Sequence, residues 1–117
     1  KADYTNTFCH LMDHETKKDK VYNDNDFLKW KKRWKERLSV DSNKSEEYLD
    51  LMKKVNPLVI PRNHKVEEAL KAADQDNLKP INKLLKILSK PYTKQNDIVD
   101  FQHSIPLNKK YQTFCGT

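Results

Sequence analysis

Apolar residues recur at three- and four-residue steps along most of this chain, and the runs between them are polar, so the pattern is that of short amphipathic helices. A first helix is expected over Ala2 to Met12, with Tyr4, Phe8, Leu11 and Met12 on one face. Asp13 to Asn23 is polar and aperiodic and reads as a loop. Asp24 or Asn25 can then cap a second helix carrying the stripe Phe27, Trp30, Trp34 and Leu38. Ser39 to Lys44 has linker chemistry, and Ser45 with Glu46 and Glu47 opens a third helix, because carboxylates favour a first turn. Its stripe is Tyr48, Leu51, Met52 and Val55, and Asn56-Pro57 stops it.

Pro57 and Pro61 bracket Leu58-Val59-Ile60, an extended segment too short to found a sheet and expected to lie across the helices as apolar packing. Asn63 is positioned to cap a fourth helix with Val66, Ala69, Leu70 and Ala73 inward, followed by a polar turn from Asp74 to Lys79. Pro80 suits the first position of a fifth helix, since that amide has no helical partner to lose, and Ile81, Leu84, Leu85 and Leu88 form its inner face. Beyond Pro91 the period is lost, so Ile98, Val99, Phe101 and Ile105 are expected to pin an extended tail onto a surface. The expected fold is all-α: about five short helices in an irregular bundle, a helical domain over 1–95 and an extended tail over 96–117.

At 117 residues the chain is long enough for one core without metal or disulfide staples. Lys1 rather than Met at the start leads us to expect a piece of a longer or processed protein. No stretch approaches the run of about 18 apolar residues that a spanning helix needs, so no membrane partner is expected. The 23 basic and 17 acidic residues leave a net charge of +6 on a mixed-sign surface, which does not mark a dedicated nucleic-acid binder. Two cysteines, Cys9 and Cys115, do not make a secreted disulfide framework, and a reducing compartment is the default.

Four groups of residues carry candidate chemistry. Lys29 to Leu38 interleaves cations with Trp30 and Trp34, as nucleic-acid or membrane-surface helices do, but most of the cations lie off the aromatic face. The reading is therefore a core helix with a solvated basic face. His10 and His14 stand four apart, a spacing that can offer two nitrogens to a metal. Leu11 occupies the place of a zinc protease's glutamate, no third ligand is evident, and no metal site is assigned. Arg62, Asn63 and His64 lie between a proline turn and a helix start, where they could hold an anion or an interdomain contact, or simply cap and pin. Cys115 stands two residues from the end, beside Gly116, the single glycine. It is either a thiol accessible to exchange or an inert terminal cysteine. One terminal glycine also excludes every glycine-rich phosphate loop from this chain.

In order along the chain, Ala2-Asp3-Tyr4-Thr5-Asn6-Thr7-Phe8, Asn56-Pro57, Ile60-Pro61-Arg62-Asn63-His64, Val66-Glu67-Glu68-Ala69, Pro91-Tyr92 and Thr113-Phe114-Cys115-Gly116-Thr117 resemble the carboxyl-terminal portion of the selenoprotein O family. The resemblance implies a pseudokinase fold that binds ATP inverted and transfers AMP to protein Ser, Thr or Tyr hydroxyls. It implies that the catalytic lysine, the metal-binding aspartate and asparagine, and the glycine-rich loop lie upstream. No catalytic residue and no ATP or Mg2+ ligand is thus expected in this chain, although both cofactors are implied for the full-length enzyme.

The implied partners are the missing amino-terminal pseudokinase domain and the enzyme's protein substrates. The implied location is the cytoplasm of a bacterium or the mitochondrion of a eukaryote. Cys115 takes the position held in some members by selenocysteine and in many bacterial members by a cysteine that can pair with one in the catalytic region, so a redox-regulatory role is implied. Cys9 has no implied role. A rival expectation is a helical binding module that recruits a protein substrate through Lys31, Lys32 and Lys35 or the Arg62 region.

Overall fold

The structure is a computed structural model that describes residues 2–12, 20–40 and 44–104. Among these residues it is all-α, with six α-helices and one short 3-10 turn. The chain divides into two compact units, residues 1–57 and 58–117.

The first unit holds α1 (Tyr4–Met12), the 3-10 turn Lys20–Asn23, α2 (Asn25–Ser39) and α3 (Ser45–Val55). α1 starts later than its apolar spacing predicts, because Asp3 acts as its cap: the carboxylate accepts the Asn6 amide at 2.9 Å. Its inner face is also rotated, with Thr5, Cys9, Leu11 and Met12 buried and Tyr4 74% exposed against Phe8. The loop expected up to Asn23 is corrected at its end, where Lys20–Asn23 winds into a turn that buries Tyr22. α2 is capped by Asp24, whose carboxylate accepts the amides of Asp26 (2.9 Å) and Phe27 (3.4 Å).

The reading of α2 as a core helix does not hold, since it has no fully buried side chain and Trp30 is exposed. With cations on most of its circumference, only a narrow stripe can turn inward, and it stays half-buried. In α3 the expected stripe is likewise split: Tyr48 and Met52 are half-buried while Leu51 and Val55 are exposed. Asn56 closes α3, with its backbone and side-chain nitrogens both donating to the Met52 carbonyl, and Pro57 forbids another turn.

The second unit is built on α4 (Asn63–Ala73) and α5 (Lys79–Leu88), a packed helical pair, with α6 (Ile98–Gln102) against it. Its core is Val59, Ala69, Leu84, Ile87, Ile98 and Phe101, with Leu58, Val66, Ile81 and Leu88 packed around. Val59, only 2% exposed, confirms that the segment between the prolines is apolar packing. Ala69 is small enough to let the helices approach closely. Two inner faces are rotated from expectation, since Leu70 and Leu85 are exposed and Ile87 takes a core place.

Asn63 does not cap α4. Arg62 occupies that position in an extended conformation without a side-chain cap, and its carbonyl accepts the amides of Lys65 and Val66. Pro80 falls on the second residue of α5 rather than the first, after the Asn77 carboxamide accepts the Lys79 amide. α4 ends in a Schellman arrangement, with Asn77 N–H donating to Ala72 O, Asp76 N–H to Ala73 O, and Asp76 left-handed at φ 60°.

The extended conformation expected from residue 96 onward is corrected for its first part. Ile98–Gln102 is helical, and Ile98 and Phe101 complete the core. The reason is local. Gln95 Nε2 donates to the carbonyls of Ile87 and Lys90 and folds the chain back, and the Asp97 carboxylate meets Lys83 Nζ at 3.4 Å. That return lays two apolar residues three apart on the open edge of α4 and α5.

Candidate functional site

The segment Arg62-Asn63-His64 is held by side chains distant in sequence. Arg62 Nη2 donates to the Gln102 carbonyl at 3.4 Å, and Gln102 Nε2 donates to the Leu58 carbonyl at 2.7 Å. Leu58 N–H in turn donates to Pro91 O at 2.7 Å. The guanidinium therefore joins the proline segment to the end of α6. A charged donor on a backbone carbonyl is worth more than a neutral pair, so this contact orients α6 as well as tethering it. His64 is half-buried, and burial, then Lys65 and Arg62, hold its imidazole below the usual histidine range. Asn63 is exposed at the start of α4. Arg62 is tied into the scaffold beneath α6, and Asn63 and His64 follow it as the first residues of α4.

Phe101 marks the other side of α6. Its ring lies in the core while Lys65 Nζ and Lys83 Nζ each stand 5.8 Å from the ring centroid. Cys115 lies outside the described residues, as does His14. His10 Nε2 is 3.0 Å from Lys31 Nζ, and its ring stacks on Tyr22 at 4.2 Å with an interplanar angle of 4°. Among the described residues no group of three His, Cys, Asp or Glu side chains converges to hold a metal ion, and no residue there is assigned to Mg2+. Nor is any helix among them long and apolar enough to cross a membrane.

Along α2, Asp26, Lys29, Lys32, Arg33 and Glu36 line a shallow open depression. Its mixed charge and openness suit a contact surface better than a small-molecule pocket. Gln102 and the His10–Lys31 pair are the residues that sequence reasoning did not single out for these contacts. Their partners lie 44 and 21 residues away, and no local spacing signals them.

The family described as "Protein adenylyltransferase SelO" matches residues 1–89. The chain belongs to the SelO family. Its similarity to curated SelO-family relatives, each named "Protein nucleotidyltransferase YdiU", runs the length of the chain. It is 48% identical over 118 residues to the protein of Pelagibacter ubique (strain HTCC1062), covering 100% of this chain and 24% of that relative. It is 42% identical over 118 residues to that of Nitrosococcus oceani, covering 99% of this chain and 24% of the relative. Against the Bacillus mycoides protein the identity is 40% over 119 residues, again with 24% of the relative covered. The chain thus spans about a quarter of the length of these relatives. No solved structure gives a significant match.

Proposed function

We propose that this chain is the non-catalytic, carboxyl-terminal helical part of an enzyme that transfers AMP from ATP to Ser, Thr or Tyr hydroxyls of proteins, and that Cys115 regulates it by thiol chemistry. One observation carries the reading: 99–100% of the chain matches 24% of relatives whose names state protein nucleotidyl transfer. ATP and Mg2+ belong to the remainder of such an enzyme, as does the pseudokinase domain against which these helices would pack. The contribution of this chain is a scaffold. Arg62, Gln102 and Phe101 fix α6, which precedes Cys115 in the sequence.

In the regulated state the Cys115 thiol and a second thiol, from the catalytic region, lose two protons and two electrons to a disulfide oxidant and become a disulfide. A dithiol reductant reverses the step. The test is AMP transfer from labelled ATP to protein by the full-length enzyme, with and without reductant, in wild type and Cys115→Ala. Wild type is expected to respond to reductant and the variant to be equally active in both conditions. A variant that responds as wild type does removes Cys115 from regulation. Absence of AMP transfer in any form refutes the activity.

The exposure of α2 favours one further reading, in which this helix recruits the protein substrate. Reversing the charge of exposed Lys32 and Lys35 would then raise KM for an acidic protein substrate while leaving the reductant response intact, and unchanged KM would remove the reading.

A further inference from the structure

Lys31 differs from every other lysine along α2. Lys29, Lys32 and Lys35 are exposed, whereas Lys31 is half-buried at the edge of the apolar stripe, one turn after Phe27. Its Nζ stands 3.0 Å from His10 Nε2. The imidazole is fixed from two sides, by Tyr22 stacked at 4.2 Å and by Phe27 with ring centroids 5.9 Å apart. Tyr22 is itself buried and lies 5.2 Å from Phe27, so the three rings form one packed cluster. A lysine amine thus meets a nitrogen base whose ring cannot easily turn away.

We propose that Lys31 is an acylation site, at which the amine takes an acyl group from a small acyl thioester and His10 takes the proton. The His10 lone pair accepts one proton of the Lys31 ammonium, leaving a free amine. The amine nitrogen attacks the thioester carbonyl carbon and a carbon–nitrogen bond forms. The carbon–sulfur bond then breaks and its electron pair leaves on sulfur. The departing thiolate receives one proton from the histidinium, and the amide nitrogen loses its surplus proton to water. Lysine and thioester become an N-acyl-lysine and a thiol, with no change of oxidation state.

Two further features act in the same direction. Burial, and then the charge of Lys35 one turn along, hold the Lys31 ammonium below the ordinary lysine range. Desolvation and a cationic neighbour are the recognised ways of activating a lysine nucleophile. Such lowering raises the free-amine fraction at neutral pH. Intrinsic nucleophilicity falls more slowly than that fraction rises, by a Brønsted exponent of about 0.4–0.5 for the analogous thiols, so the gain dominates.

Acylation would replace the charged donor to His10 by a neutral amide and weaken the Lys31–His10 link between α2 and α1.

The experiment incubates the full-length protein with acetyl-coenzyme A in the absence of any acyltransferase and follows each lysine by peptide mass spectrometry. Lys31 is expected to acetylate severalfold faster than its neighbour Lys32, and urea unfolding should bring the two rates together. His10→Phe keeps an aromatic ring against Tyr22 but has no lone pair, and it should reduce the Lys31-to-Lys32 ratio to within about twofold. Should that variant lose its helical circular dichroism, Lys35→Gln provides the second test, with a smaller fall in the ratio expected. Equal rates at Lys31 and Lys32 in the native protein overturn the proposal, including the case in which another part of the longer protein covers Lys31. So does a ratio unchanged by a folded His10→Phe.

Discussion

Replacing Phe101 by alanine tests whether α6 belongs to the core or only rests on it. Phe101 is 8% exposed in the cluster with Val59, Ala69, Leu84, Ile87 and Ile98. Truncation removes on the order of 130–150 Å² of buried apolar surface, about 3–4 kcal/mol at ~25 cal/mol per Å². A residual cavity would add to this, and phenylalanine-to-alanine changes in cores cost about 3–5 kcal/mol. The contacts of Lys65 and Lys83 with the ring are solvent-facing and add about 0.5 kcal/mol or less each. The expected loss is therefore about 3 kcal/mol or more. A unit of this size has a total stability of roughly 3–9 kcal/mol, so the effect would be large.

Both tryptophans, Trp30 and Trp34, lie in the first unit, which makes their fluorescence the wrong probe. Hydrogen exchange of peptides within 58–104, followed in rising urea, reads the second unit directly. Val99→Ala, on the exposed side of the same helix, is the internal control and should cost less than about 0.5 kcal/mol. A Phe101→Ala loss below about 1 kcal/mol, or one equal to that of Val99→Ala, would refute the placement of α6 in the core.

Gln102→Ala should cost about 1–2 kcal/mol and speed exchange at the Leu58 and Pro91 region, because the 2.7 Å bond to Leu58 O is lost within a half-buried junction. Asp24→Ala removes the cap of α2 and should cost about 1 kcal/mol in urea denaturation followed by tryptophan fluorescence, whereas Asp24→Ser should recover most of it. Asp76→Gly should stabilise by a few tenths to about 1 kcal/mol in thermal denaturation, since glycine takes the left-handed position at φ 60° without a Cβ penalty. The folded-state imidazole of His64 lies below its ordinary value of 6.5, so the folded state binds fewer protons than the unfolded one. Stability should then be fully present above that value and decline as pH falls below it. His64→Gln should flatten this decline in urea midpoints measured from pH 8 to pH 5.

The elements legible in the sequence are those whose ends carry their own chemistry. Asp24 before an apolar stripe, Glu46 and Glu47 in a first turn, and Pro57 after Asn56 each satisfy or block particular backbone groups, and the helices start and stop near them. Faces were harder to read. The α5 segment contains Ile81, Leu84, Leu85, Ile87 and Leu88, so two overlapping stripes fit one helix, and packing against Ala69 selects the one through Leu84 and Ile87. α6 carries too few residues for a period to show. It forms because Gln95 reverses the chain and an open apolar edge awaits Ile98 and Phe101, which is tertiary information.

The same distinction separates the legible part of the candidate chemistry from the rest. Arg62 stood out between a proline turn and a helix start, but anion binding and loop pinning ask for the same residue there. The bond to Gln102 O, 40 residues away, shows its guanidinium tied into the scaffold. Lys31 was counted with Lys32 and Lys35 as part of a solvated basic face, because composition assigns every lysine the same charge. Its distinction comes from His10, held in place by Tyr22, and the polar sequence between those two residues gives no sign of the pairing. Charge reversal of all three lysines would therefore mix a surface effect with the loss of an internal contact. Lys32 tests recruitment cleanly, His10 and Lys31 test the acylation chemistry, and Lys35, whose charge acts on Lys31, bears on both.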